Sequence, residues 1–331
     1  MRAVVIHEVG GPAALKLQNI LKPNPQANQV RIRVRSFGLN RSEVFTRQGY
    51  SPVKFPRVLG IEATGEIDLA GPDTNFKPGD VVVTAMGGMG RAFDGGYAEY
   101  VVVPASQVLR INPTAVFGEG KNIRWDILGA LPELMQTTWG SLTVGLGLQK
   151  SDRLLVRGGT SSVGLAAITL AKAKWGVSNV TATTRKPERT DSLKGYGADD
   201  VIIDSGSIAE EVRRKFPTGF SKVLELVGVT TLNDSLSCTE VGGTVCLTGI
   251  VGGKWTYSEP FTPMGTIPTG VRLTTYSGGS DDLLRTPIES IAVDLLEGRI
   301  KLPIKTFPIG DIVEAHRLLE EGAEAKIVML T

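Results

Sequence analysis

Leu154-Leu155-Val156-Arg157-Gly158-Gly159-Thr160-Ser161-Ser162-Val163-Gly164, continued by an alanine-rich run to Gly176, decides how this chain is read. A short apolar strand enters a tight turn of small residues, and the turn opens a helix. This is the pattern of a phosphate-binding turn in a dinucleotide fold, with Gly159-x-Ser161-x-x-Gly164 in place of three glycines. Gly159 is expected to supply the tight turn and Gly164 to let the helix pack closely. Ser161 stands where the backbone should approach a pyrophosphate, and its hydroxyl can itself donate to a phosphate. The N–H groups of Thr160, Ser162 and Val163 belong to the same turn and helix start. Such groups lack intrahelical partners, so an anion is favoured there.

The chain around this stretch has 331 residues, enough for two domains. Its apolar fraction of 41% suits a globular protein with a sizeable core. Thirty-six basic residues against 34 acidic ones leave a net charge of +2, which gives no argument for nucleic acid or an anionic membrane as partner. No charged leader with an apolar h-region opens the chain, and no segment is apolar for long enough to span a bilayer. A cytoplasmic protein is the expectation. Cys238 and Cys246 flank a Gly-Gly and read as a reduced pair.

Before residue 110 the pattern is short strands and glycine turns. Residues 2–6 and 30–37 read as strands, the second with Ile32 and Val34 inward and its arginines on a solvated face. Asn40-Arg41-Ser42-Glu43 opens a short helix that Asn40 or Ser42 can cap. Lys77-Pro78-Gly79-Asp80 turns into the strand from Val81. This is a small barrel-like β domain. From about residue 125 the character changes. Pro132 starts a helix, and after Leu148 strands alternate with helices. Strands at 154–156, 180–184, 201–203, 222–226 and 244–247 lead to helices from Ser162, Pro187, Ile208 and Thr231 and to Thr248-Gly249-Ile250. These are the units of a doubly wound parallel sheet. Residues 253–270 read as an irregular loop, Val271–Tyr276 as a further strand, 288–297 and 311–319 as helices, and 327–330 as a closing strand.

The second nucleotide-side strand ends Thr183-Thr184-Arg185-Lys186-Pro187-Glu188-Arg189. No acid stands at its tip to hold ribose hydroxyls. Thr183 and Thr184 offer hydroxyls, and Arg185, Lys186 and Arg189 offer charge suited to a phosphate. NADPH is therefore expected over NADH. The alternative is a solvated helix start, whose dipole would disfavour three cations.

In its order of motifs the whole chain resembles the medium-chain dehydrogenase/reductase superfamily, most closely the zinc-free quinone oxidoreductase (zeta-crystallin-like) branch. The resemblance rests on Asn40-Arg41-Ser42-Glu43, Leu59-Gly60-Ile61-Glu62, Lys77-Pro78-Gly79-Asp80, Gly95-Gly96-Tyr97-Ala98-Glu99-Tyr100, the Gly159–Gly164 turn, Gly197-Ala198-Asp199, Ala315-His316 and Lys326-Ile327-Val328. It implies an α/β protein: a GroES-like β domain over residues 1–125, a doubly wound Rossmann NADPH-binding domain over 126–275, and, over 276–331, the end of that domain and a return to the catalytic domain. It implies an active site in the cleft between domains and a homodimer formed through the edge strand 271–276.

The departures from the family pattern bear on chemistry. The family's zinc-ligand cysteine position falls around Asn40, its histidine is Ile61, and neither Cys238 nor Cys246 lies in the β domain. No three-ligand catalytic zinc site and no four-cysteine structural site can be drawn. A zinc-free reductase must work by placing the nicotinamide against an electron-poor acceptor, a quinone or related enone. By resemblance, Tyr50 is the first candidate to donate a hydrogen bond to the acceptor oxygen, the alternative being an aromatic pocket wall. Asn40 either binds the nicotinamide ribose or orients substrate, or it caps its helix. Thr137 contacts the nicotinamide or bonds back to its own turn. Backbone groups at Gly249 and Ile250 can fix the carboxamide. Lys326 either reaches the cofactor or ends a strand. Glu62 is expected to be structural and paired with an arginine, Trp139 to be core, and His316 to pack its helix. A 2-enoyl thioester or enone reductase, its pocket lined near Trp125 and 253–270, and a non-catalytic NADPH-binding protein remain the alternatives.

Overall fold

The computed structural model describes residues 1–331. Its strands are β1 (Arg2–Ile6), β2 (Lys16–Asn19), β3 (Gln29–Gly38), β4 (Arg57–Val58), β5 (Glu62–Ala70), β6 (Val81–Ala85), β7 (Tyr100–Pro104) and β8 (Val108–Arg110), then β9 (Arg153–Arg157), β10 (Asn179–Thr184), β11 (Asp200–Ile203), β12 (Phe220–Glu225), β13 (Thr239–Leu247) and β14 (Arg272–Thr275), and finally β15 (Ile304–Pro308) and β16 (Lys326–Leu330).

The chain divides into two compact units. The first comprises Met1–Gln136, Gly278–Glu297 and Pro303–Thr331; the second comprises Thr137–Ser277 and Gly298–Leu302. The expected boundary at residue 125 therefore moves to 136, and residues 278–297 join the first unit. The reason is local. The Ser36 hydroxyl donates to the Trp125 carbonyl and the Thr64 hydroxyl to the Leu128 carbonyl, tying helix Trp125–Ala130 to β3 and β5.

In the first unit, β3 organises the largest sheet, whose order is β15-β16-β3-β5-β6-β8 with β7 also paired to β3. The strict alternation of Val30, Ile32 and Val34 with Arg31, Arg33 and Arg35 puts the valines and isoleucine into the core. Two of the arginines pair outward, Arg31 with Asp68 and Arg35 with Glu66. A second, three-stranded sheet has the order β2-β1-β4. Ile309, Ile312, Ala315, Ile327 and Met329 pack into the same core as Val4, Ile32, Phe37 and Tyr97, which is how the C-terminal segment returns to the first unit. His316 is fully buried, and its Nε2 lies 3.1 Å from the Tyr97 hydroxyl. Burial, with Arg47 nearby, lowers it to about 3, so it stays neutral as a packing residue.

The second unit is a six-stranded parallel sheet in the order β11-β10-β9-β12-β13-β14. β9 sits centrally, with β10 on one side and β12 on the other, so the loop leaving β9 opens at the topological switch point. Leu154, Leu155 and Val156 are fully buried, as both faces of a covered parallel strand require. Helix Ser162–Leu170 follows and continues as one wider turn, Ala171–Trp175, before Gly176 ends it in the left-handed conformation at φ 61°. Trp139 is half-buried rather than core, and its ring lies 4.9 Å from that of Trp175. The loop at 253–270 holds one short helix, Pro263–Thr266, and a further helix, Ser280–Arg285, lies where no helix was expected.

Gly65 shows how tightly the β3–β5 pairing is built. A Cβ there would land on the Arg33 carbonyl oxygen, opposite an irregularity in the register between Val34 and Ser36. Because the obstacle is backbone, it cannot rotate away. Gly65→Val is expected to lower the unfolding free energy by about 1–3 kcal/mol, read from the urea midpoint; an unchanged midpoint would refute the close approach.

Candidate functional site

The turn after β9 differs in detail from its expected geometry. Gly158, not Gly159, carries the positive φ, 87°. Gly159 is required for another reason: a Cβ there would sit 2.9 Å from the Ala182 Cβ and 3.1 Å from the Thr183 carbonyl oxygen of β10. Its own N–H donates to that carbonyl at 3.0 Å. A Cβ on Gly164 would meet the Gly158 oxygen at 2.5 Å and the Gly159 Cα at 2.8 Å, so its contact is with the turn itself. Ser161 is corrected more sharply. Its hydroxyl donates to the Gly158 carbonyl at 2.8 Å and accepts from the Gly164 N–H at 3.1 Å. It is the N-cap of helix Ser162–Leu170, and its hydroxyl is spent inside the turn rather than offered to a phosphate. The remaining features fit a pyrophosphate: small residues, backbone close to the surface and the N-terminal first turn of a helix.

Behind the turn lies a charged residue whose role the strand pattern alone does not reveal. Arg157 ends β9 and is fully buried. Its Nε and Nη2 donate to Asp204 at 2.9 and 3.0 Å, and its Nη1 donates to Asp234 at 2.6 Å, to the Ser235 hydroxyl at 3.1 Å and to the Thr231 carbonyl at 3.2 Å. Burial alone would push the Asp204 carboxyl up, but the Arg157 bonds outweigh it and hold that carboxyl below its usual range. Glu225, ending β12, moves the other way. Burial raises it, while Ser235 and the N–H groups of Gly228 and Val227 partly offset the rise. Asp234 also accepts from the Ile208 and Ala209 N–H groups, anchoring the start of helix Ala209–Lys215. The signal in the sequence was a charged residue finishing an apolar strand three times over: Val156-Arg157, Ile203-Asp204 and Leu224-Glu225.

This network takes in Thr183, expected to contact the cofactor. Thr183 is buried, accepts from the Gly158 N–H at 3.1 Å and lies 3.2 Å from Asp204 Oδ2, to which it donates. It braces the turn from within. The Thr184 hydroxyl accepts from the Lys186 N–H, closing its own turn. Arg185 and Lys186 are exposed at the tip of β10, and Arg189 is half-buried beside them. The Gly249 N–H donates to the Glu225 carbonyl, and a Cβ there would meet the Leu226 backbone; Ile250 is half-buried. Thr137 is half-buried, and its carbonyl accepts from the Ser141 hydroxyl.

In the first unit a second polar cluster forms at the start of helix Arg41–Arg47. Asn40 is the residue before that helix, but its side chain makes no cap. Its Nδ2 donates to Glu62 Oε1 at 2.9 Å, and its Oδ1 accepts from Lys326 Nζ at 2.5 Å. Glu62 pairs with Lys326 at 2.9 Å, not with an arginine. Lys326 begins β16 and is almost wholly buried, so it serves this cluster. Burial would lower it, but Glu62, Glu133 and Glu43 outweigh burial and keep it charged. Gly38 makes room for the pair, because a Cβ there would strike both the Glu62 carboxylate and the Lys326 side chain. Glu43 joins the cluster, and sequence reading had passed over it. Tyr50 lies apart, 69% exposed, its ring edge-on to Phe45.

No group of three or more His, Cys, Asp and Glu side chains could hold a metal ion. Glu62 is already bonded to a lysine and an asparagine, and Ile61 beside it in the chain carries no donor atom, so the donor set does not fit zinc. No helix is long and apolar enough to cross a membrane.

Two family models match. Residues 26–113 match the alcohol dehydrogenase GroES-like domain, and residues 162–296 match a model described as zinc-binding dehydrogenase. The quinone oxidoreductase of Pongo abelii is 27% identical over 340 residues, covering 100% of this chain and 98% of that protein. The acryloyl-coenzyme A reductase of Metallosphaera sedula is 27% identical over 280 residues, covering 78% of this chain and 79% of that protein. The structure of mycobacterial Rv1454c complexed with NADPH superposes with a TM-score of 0.83 at 25% identity, covering 100% of both chains.

The Ser161 cap can be separated from any contact with a ligand. Ser161→Ala is expected to cost about 1 kcal/mol and Ser161→Gly only a few tenths, measured by chemical denaturation without added nucleotide. Equal losses in the two variants would show that the hydroxyl does not cap the helix.

Proposed function

Because the chain belongs to the medium-chain dehydrogenase/reductase superfamily, in its zinc-free quinone-oxidoreductase-like branch, we propose that it transfers hydride from NADPH to a quinone or related enone. The observation that carries the reading is the turn at the end of β9. Its glycines are required by backbone contacts, and it leads directly into a capped helix start at the switch point of a parallel sheet. NADPH, when bound, supplies the hydride. The Gly158–Gly164 turn holds its pyrophosphate, and Arg185 and Lys186, exposed at the tip of β10, take its 2′-phosphate. Thr137 and the backbone at Gly249 and Ile250 belong to the nicotinamide end. Asn40 acts through its cluster in the first unit. Tyr50, 69% exposed, donates to the oxygen on which charge develops. The likeness to the acryloyl-coenzyme A reductase supports a second reading, reduction of an enoyl thioester with the same cofactor.

We also propose a homodimer through β14. That strand pairs only with β13, and its other edge is open to a second copy. Two free, buried cysteines agree with a reducing, cytoplasmic setting.

The test is NADPH and NADH oxidation against a panel of quinones, enones and enoyl thioesters. Quinones and enones are expected to support turnover with NADPH preferred. Turnover with thioesters alone would replace the first reading by the second. The double variant Arg185→Ala, Lys186→Ala is expected to lower kcat/KM for NADPH by about tenfold or more and leave NADH unaffected; equal losses for both nucleotides would refute the phosphate assignment. Light scattering reads the mass of the assembly.

A further inference from the structure

The cluster around Asn40 contains two carboxylates and one ammonium, and its donors do not suffice for both acids. Lys326 Nζ spends its bonds on Asn40 Oδ1, Glu62 Oε1 and the Leu39 carbonyl. Asn40 Nδ2 reaches Glu62 Oε1 at 2.9 Å and Glu43 Oε1 at 3.4 Å. The second Glu62 oxygen accepts from the Glu133 N–H. Glu43 Oε1 accepts from the Ile61 N–H at 3.1 Å. Glu43 Oε2 is left over, buried and without a partner, on a side chain only 1% exposed. A buried carboxylate in that state would be an uncompensated charge.

We propose that Glu43 is held as the neutral acid in the working protein and positions Asn40 and Lys326, and that loss of its proton loosens this clamp. The step is a simple dissociation: the carboxyl O–H bond breaks, the proton passes to water, and a carboxylate remains. Once ionised, Glu43 competes with Glu62 for the same amide and the same ammonium. The inference deepens the reductase reading and rests on it only where turnover is measured.

The groups that face Glu43 agree. Glu62 on β5 is a like charge, and Lys326 on β16 is the only cation bonded within the cluster. Glu133, on the helix from Pro132, acts on Lys326. Tyr97, before β7, remains neutral because burial holds its hydroxyl well above the usual range, and His316 behind it is neutral too. Arg47, at the far end of the same helix, donates to the Gly10 carbonyl and pairs with Glu320, and Arg41 is half-buried at its start. Burial pushes the Glu43 carboxyl up from 4.5 to about 7, against the pull of the Ile61 N–H. Between those values the folded chain binds a proton that the unfolded chain has lost, so stability falls as pH rises through that window.

The full-length protein, titrated from about pH 5 to about pH 9 and followed by difference infrared spectroscopy, is expected to show a protonated carboxyl band that disappears with a midpoint of about 7. Glu43→Gln should lack the band and the fall in thermal midpoint over the same window, and its NADPH–quinone turnover should lose the decline that wild type shows as pH rises. Absence of the band in wild type, or its persistence in Glu43→Gln, would overturn the proposal. If Glu43→Gln does not fold, the wild-type titration still decides, and Lys326→Met, which removes the cation favouring the carboxylate, should move the midpoint upward. A midpoint that does not move would count against the clamp. The band without any quinone turnover would uphold the clamp and overturn the reductase reading; turnover without the band would do the reverse.

Discussion

A guanidinium buried without exposure has to be answered by carboxylates, and in the nucleotide unit that requirement fixes the ends of three strands at once. Arg157 terminates β9, Asp204 follows β11 and Glu225 terminates β12, with Asp234 added from helix Val229–Ser237. Removing one partner from such a set leaves a charge in low dielectric, at about 3–5 kcal/mol. The consequence reaches the phosphate turn directly. Gly158 follows Arg157, and its N–H is held by Thr183, whose hydroxyl is held by Asp204. The turn is therefore held by bonds made within the protein itself, which reduces the ordering cost of binding.

Much of this was legible in the sequence because it follows from period and from backbone chemistry. The alternation in β3, the apolar runs of β9 to β13 and the small-residue turn at 158–164 all depend on neighbours a few residues away. What was not legible depends on distance. Nothing near Ser161 says whether its hydroxyl turns inward to Gly158 and Gly164 or outward. Nothing near Thr183 says that Asp204, on another strand, will claim it. Lys326 and Asn40 stand 286 residues apart in the chain, and their bond exists only once β16 lies beside β3. The first compact unit runs on past residue 125 for the same reason, since helix Trp125–Ala130 is committed to β3 and β5 by hydroxyl-to-carbonyl bonds with no local signature.

The two polar clusters solve a common problem differently. Around Arg157 there is an excess of acid, and the surplus is spread over hydroxyls, N–H groups and partial exposure at Asp234. Around Lys326 there is an excess of acid too, but the cluster is sealed and has few donors to spare. The first arrangement suits a scaffold that should not respond to its surroundings. The second leaves one group whose charge can change.

Lys326 also has a consequence for how the first unit is supplied. Its cation is encoded in the chain, arrives with translation and cannot be removed by a chelator or exchanged for a competing ion. The cost is fixity: an ammonium offers three hydrogen bonds in set directions and has no vacant coordination position to lend to a substrate.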